Sequence, residues 1–204
     1  MDLKKILDNK PFLKRSLFPN LYSWLNLEEH LNFRPAQYPD RFKRISKPND
    51  RYWKAGGWLS NPNSWPPTYI QEELEKGVIY LKDCSRINKK INAICKKIED
   101  ITNWPTDLHI FVSIKPVDKT GFGKHNDSQH NLIVAQEGKL KAFVWDKKNN
   151  LVIDETLQNG DCVYVPAKFN HQIVPIDDKR YSFSFSMADY ESFFQERHWI
   201  NLGV

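Results

Sequence analysis

From residue 108 onward, short runs of β-branched and aromatic residues are broken by Gly, Asn, Asp and Lys. They read "LHIFVSIK", "NLIVA", "LKAFVW", "LVI", "CVYVP", "HQIVP" and "YSFSFSM". Runs of this length and spacing predict an antiparallel sandwich or barrel. "YSFSFSM" alternates Ser with Phe, the pattern of a strand with one face on a core.

Before residue 108 the period changes. "SRINKKINAICKKIEDI" places Ile87, Ile91, Ile94 and Ile98 at spacings of four, three and four, an amphipathic helix with Ser85 as its candidate cap. "PTYIQEELEKG" carries Pro67 near a first turn and Gly77 just past the end, which is helix punctuation. "NLYSWLNLEEHLN" reads as a short helix, "VIYL" as a short strand and "ADYESFFQER" as a final helix outside the sheet. The rest of the first third is irregular. "RYWKAGGWLSNPNSWPP" sets Trp53, Trp58 and Trp65 around Gly56 and Gly57. Such a segment is either a substrate-facing wall or a hydrophobic plug over one end of a sheet. As a wall it would bind substrate through the three tryptophans, and the mild positive charge of the chain would favour an acidic peptide.

No internal repeat or linker divides the 204 residues, so one domain is expected. It would have a helical, aromatic-rich cover (1–107), a β core (108–187) and a C-terminal helix (188–204). The chain is 40% hydrophobic, which excludes disorder, and no apolar run has the length of a membrane span. Its first residues lack the apolar stretch of a secretory signal, and Cys84, Cys95 and Cys162 show no CxxC spacing. Both features predict a cytoplasmic protein with reduced thiols. The net charge of +5 comes partly from "INKKINAICKK" and "FKRISK", read as a solvated helix face and a polar loop. No nucleic-acid module is recognisable, and no nucleic-acid or membrane partner is expected.

Candidate chemistry sits in "GFGKHNDSQH", between two predicted strands. In extended chain, residues i and i+2 point the same way, so His125 and Asp127 can converge. "VPAKFNHQIV" offers His171 at the start of a later strand as a third ligand. Two histidines and one carboxylate on one face of a metal leave the opposite positions open, as non-haem Fe(II) oxygenases require. The bland alternative is a polar barrel mouth without metal. His130 lies beyond a turn from Asp127 and reads as part of the rim; His30, His109 and His198 read as ordinary surface or core-edge histidines.

Such enzymes take electrons from 2-oxoglutarate, with O₂ as the other co-substrate. The distal carboxylate of 2-oxoglutarate needs a buried cation. Arg180 with Ser182, in "RYS", is one candidate anchor, and Lys141, in "EGKLKAFVW", is the other. Asn131 is positioned to add a hydrogen bond.

These residues carry a resemblance. From about residue 70 to residue 187 the chain resembles the JmjC/cupin-type Fe(II)- and 2-oxoglutarate-dependent oxygenases, nearest their ribosomal-oxygenase and asparaginyl-hydroxylase branch. The carrying stretches are "ELEKGVIYLKDCSRI", "GFGKHNDSQHNLIVAQEGKLK" and "NGDCVYVPAKFNHQIV". The resemblance implies a mainly β fold with flanking helices, a double-stranded β-helix of the jelly-roll/cupin type. It also implies metal ligation by His125, Asp127 and His171. The family carries Lys or Arg on the strand after its "G-x" turn; counted from Gly138 that position is Leu140, and Lys141 matches only with a one-residue shift. "RYS" instead resembles the Arg-x-Ser motif of other 2-oxoglutarate oxygenases.

The sequence given ends soon after the last predicted strand, so the ribosomal substrate of that branch is not carried over. The implied activity is hydroxylation of a C–H bond, on an amino-acid side chain of a peptide or protein. The rival readings are a small-molecule hydroxylase or desaturase and a non-catalytic cupin-like binding module.

Overall fold

A computed structural model describes residues 3–32, 42–45, 74–75, 77–114 and 123–188, with backbone alone at 42–45. Among the described residues, ten strands form two antiparallel sheets: β1 (Phe12–Lys14), β2 (Phe42–Ile45), β3 (Val78–Leu81), β4 (Thr106–Ser113), β5 (His130–Glu137), β6 (Leu140–Trp145), β7 (Leu151–Leu157), β8 (Cys162–Val165), β9 (His171–Pro175) and β10 (Arg180–Met187). The seven-stranded sheet runs β1-β8-β5-β10-β4-β3-β2, and the three-stranded sheet runs β7-β6-β9. Together they make the expected double-stranded β-helix.

Every run predicted as a strand from residue 108 onward is one. The region before residue 108 contributes more than a cover, because β1, β2 and β3 extend the larger sheet at both edges. "FKRI", expected to be part of a polar loop, is the edge strand β2, paired to β3 from Phe42↔Leu81 to Ile45↔Val78.

Alternation sorts the larger sheet into two faces. Ile79 and Leu81 of β3, Leu108, Ile110 and Val112 of β4, Leu132 and Val134 of β5, and Phe183 and Phe185 of β10 join one buried cluster. That cluster is closed by the 3₁₀ helix Leu3–Asp8, by α1 (Trp24–Asn32) and by α2 (Lys89–Thr102). From α2, Ile91, Cys95 and Ile98 enter it fully, while Ile94, and Ile87 just before the helix, pack at its margin. The cap of α2 is Asn88 and not Ser85: the Asn88 side chain accepts from Ile91 N at 2.8 Å. Ser85 lies a turn earlier, where its carbonyl accepts from Asn92 Nδ2. The left-handed Asn103 (φ 58°) ends the helix.

A second cluster lies between the sheets, where Ile133, Ala135, Val163 and Val165 meet Leu140, Ala142, Val144 and Leu157. It fills only part of the interior. The remainder is a cavity.

Leu74 and Glu75 are helical, but most of "PTYIQEELEKG" lies outside the described residues, as do the C-terminal segment "DYESFFQER" and Trp53, Trp58 and Trp65. Among the described residues no helix is long and apolar enough to cross a membrane.

Candidate active site

His125 and His171 form an isolated antiparallel bridge, with His125 N donating to His171 O at 3.0 Å and His171 N to His125 O at 2.7 Å. Directly opposed residues project to the same side, so the two rings stand 4.3 Å apart. Two positions on, the Asp127 backbone carbonyl accepts from Lys168 N at 2.7 Å. One potential ligand atom from each of His125, Asp127 and His171 lies within 4.8 Å of the other two. Asp127 Oδ1 is 3.7 Å from His125 Nε2, and Oδ2 is 3.5 Å from His171 Nε2.

The tautomers follow from the neighbours. His125 Nδ1 is 2.9 Å from Gly123 O, and His171 Nδ1 is 3.2 Å from Phe169 O. A carbonyl only accepts, so both Nδ1 atoms carry hydrogen and both neutral rings keep a bare Nε2 toward the carboxylate. Burial holds the His171 imidazole below its ordinary pKa; Asp127 opposes that effect, and His125 adds to it. The donor set of two imidazoles and a carboxylate suits a divalent transition metal.

These residues line a cavity of about 370 Å³ that also receives Arg180, Ser182, Ser184 and Ser186 from β10. Arg180 is 3% exposed. Its Nε donates to Ser113 Oγ at 2.9 Å and its Nη1 to Ser182 Oγ at 3.3 Å. No carboxylate among the described residues pairs with it, and burial alone pushes its guanidinium down to about 9. Gly138 shapes this corner. It opens the two-residue turn from β5 to β6 at φ +69°, and a Cβ there would stand 2.6 Å from Arg180 Cβ.

Lys141 is elsewhere. On β6, Leu140, Ala142 and Val144 face inward, and Lys141 faces out and pairs with Asp154. Asn131 lines the cavity, but its Nδ2 donates to Asp127 Oδ2 at 2.8 Å.

Two histidines differ from their expected places. His130 is not at the rim: it is 4% exposed on the opposite face of β5, stacked on Trp104 at 4.4 Å and 2.8 Å from the Tyr164 hydroxyl. His109 is no ordinary core-edge residue, because it lines the cavity. Its Nε2 is 3.2 Å from Asp107 Oδ2, and its Nδ1 is 3.0 Å from the Tyr80 hydroxyl. Tyr80 and Phe111 stack at 4.7 Å to form an aromatic wall beside it. The available signal was parity: Asp107, His109 and Phe111 alternate with Leu108, Ile110 and Val112. His30 sits on α1, its Nε2 3.9 Å from Cys84 Sγ, and His198 lies outside the described residues.

A groove shares Tyr80, His109, Gln129 and Ser186 with the cavity and continues past Asp83, Glu99 and Asp107, with Lys82 beside them. The net positive charge of the chain is therefore not what this groove presents.

Residues 136–193 match the JmjC domain family. No curated protein matches the chain. Among solved structures, the ribosomal oxygenase YcfD from Escherichia coli aligns with a TM-score of 0.66 at 17% identity, over 96% of this chain and 54% of that one. A structure of YcfD in complex with cobalt and 2-oxoglutarate aligns with a TM-score of 0.65 at 17% identity, over 98% and 58%. Another, with cobalt and succinic acid, gives 0.62 at 17% identity, over 96% and 54%. The chain thus spans little more than half the length of that enzyme. In sequence, through residues 136–193, it is similar to the JmjC domain, and in fold it is similar to the ribosomal oxygenase YcfD.

Proposed function

We propose that the protein is an Fe(II)- and 2-oxoglutarate-dependent oxygenase that hydroxylates a C–H bond on an amino-acid side chain of a peptide or protein. The observation that carries this reading is one cavity holding both a cluster of two histidines and a carboxylate and a buried guanidinium with no carboxylate partner among the described residues. A guanidinium so buried costs several kcal/mol until an anion offsets it. Arg180 Nη1 reaches Ser182 Oγ, which is two residues from Ser184 on the same face of β10, roughly 7 Å of strand. Ser184 touches Asn131, which in turn touches Asp127. A five-carbon dicarboxylate suits that interval, with its distal carboxylate on the Arg180 fork and its 2-oxo acid end toward the triad.

His125, Asp127 and His171 would hold the metal through two Nε2 atoms and a carboxylate oxygen. Fe(II), when bound there, supplies O₂ activation coupled to decarboxylation of 2-oxoglutarate to succinate and CO₂. The chain's own work is positioning. Gly123 and Phe169 carbonyls fix the imidazoles, Arg180 and Ser182 orient the co-substrate, and the Tyr80–Phe111 wall excludes water from the reacting carbon. The protein substrate rests on similarity to a ribosomal oxygenase. Trp53, Trp58 and Trp65 keep their proposed place at the entrance.

The test is succinate formation from 2-oxoglutarate with Fe(II) and candidate peptides. Turnover is expected in the wild type and absent in Asp127→Ala; equal turnover in both would refute the metal assignment.

A further inference from the structure

We infer that Asn131 fixes Asp127 as a one-oxygen ligand, so that a coordination position stays open for the co-substrate; this rests on the metal reading above. A carboxylate offers two oxygens, and an unrestrained one can chelate a metal with both. In this site Oδ2 is already committed, accepting from Asn131 Nδ2 at 2.8 Å, a charge-assisted bond.

The amide cannot turn over to release it. Ser184 Oγ donates to Asn131 Oδ1 at 3.0 Å, and a flipped amide would set its own oxygen against the anionic carboxylate. Nor is the amide free to move with the loop that carries Asp127. Asn131 belongs to β5, flanked in register by Val165 of β8 and Ser186 of β10 in the larger sheet. A rigid sheet therefore reaches into a loop and holds one atom of it. Chelation through both oxygens would divide Oδ2 between the metal and this bond and weaken each. Oδ1 is left as the ligand, and Asn131 is a positioning residue rather than a contact of the co-substrate.

Co(II) is the probe, since its visible absorption reports coordination number without turnover. In Asn131→Leu the spectrum of bound Co(II) should change before any 2-oxoglutarate is added. The affinity of the Co(II) form for 2-oxoglutarate should then fall about tenfold or more. Ser184→Ala, which removes only the group steadying the amide, should shift both readouts in the same direction by less, and it decides the matter if Asn131→Leu does not fold.

A wild-type Co(II) spectrum in the variant overturns the inference. If 2-oxoglutarate affinity falls with that unchanged spectrum, Asn131 touches the co-substrate instead. Loss of Co(II) affinity with unaltered 2-oxoglutarate binding also overturns it, leaving simple support of a ligand. A wild-type protein whose Co(II) binding is indifferent to His125→Ala would overturn the metal reading itself, a result distinct from the others.

Discussion

Along β10, Tyr181, Phe183, Phe185 and Met187 enter a core sealed by helices, whereas Arg180, Ser182, Ser184 and Ser186, equally buried, line a cavity. Both faces are buried, yet only one is apolar. On the apolar face, large side chains fill the space and contribute stability. On the other, three serines leave space, and the one long side chain carries a charge that has no carboxylate partner among the described residues. Burial alone therefore does not distinguish a core from a site. Polar residues at buried positions, each supplied with a hydrogen-bond partner but not filling the volume, mark the site.

The sharpest way to break this comparison is to truncate one residue on each face. Phe183→Ala should cost about 3–5 kcal/mol of stability, read from the urea midpoint, through lost transfer energy and a residual hole. In the folded fraction 2-oxoglutarate affinity should be unchanged. Arg180→Ala should do the reverse. Removing one partner of a buried charge pair costs about 3–5 kcal/mol, which here appears as a loss of about 10²- to nearly 10⁴-fold in 2-oxoglutarate affinity. The urea midpoint should not fall, because the free protein loses an uncompensated charge. Two variants that both lose stability and both keep affinity would erase the distinction.

Gly138 packs against the backbone at the start of β10, which carries both faces, so its substitution should blur the separation. At φ +69° an alanine is strained, and its Cβ would stand 2.6 Å from Lys179 O as well as from Arg180 Cβ. Gly138→Ala should cost about 1–3 kcal/mol. It should also weaken 2-oxoglutarate binding, because relief of the clash displaces Arg180. Stability loss without any change in binding would show that the start of β10 tolerates movement.

Much of this was legible in the chain. Short β-branched and aromatic runs located β4 to β10, and the triad was visible as "HND" followed by a histidine opening a later strand. Short edge strands were not, because "FLK" and "FKRI" are too brief for alternation to show. The α2 start was read a turn early since Ile87 continues the helical period, although Asn88 makes the capping bond. His109 and His130 were misplaced for a shared reason. Each lies on a strand whose parity decides its face, and parity cannot be assigned until one face is known to be the cavity. The choice between Arg180 and Lys141 needed the same information.

Acid offers a smaller test that again separates the faces. Burial lowers the pKa of His171, on the cavity side, and of His30, on α1 beside Cys84. A depressed folded value means that the unfolded chain binds protons first. The stability these groups contribute is complete above the unfolded value near 6.5 and is lost as pH falls through the folded values. Asp107 and Asp161, held below the ordinary aspartate value with His109 and Arg15 as their side-chain partners, act only at lower pH. The urea midpoint of metal-free protein should therefore decline as pH falls below about 6.5. His30→Gln should leave only the His171 part of that decline, and a flat profile in the wild type would contradict both shifts.

The smallest expected effect belongs to Lys141→Ala, and its smallness is informative. Lys141 stands on the outer side of β6, its ammonium paired with Asp154 and 5.6 Å from the centre of the Phe143 ring. Its side chain is 31% exposed and that of Asp154 48% exposed. An ion pair so open to water is worth about 0–1 kcal/mol, so the urea midpoint should move little. With 2-oxoglutarate affinity measured beside Arg180→Ala, Lys141→Ala should match the wild type, because Leu140, not Lys141, has the inward parity on this strand. For Lys141 to reach the cavity, β6 would have to slip by one residue, turning Leu140, Ala142 and Val144 out of the second core and Phe143 into it. A loss of affinity in Lys141→Ala equal to that in Arg180→Ala would require such a slip, and it would carry with it a loss of stability far beyond that of a surface ion pair.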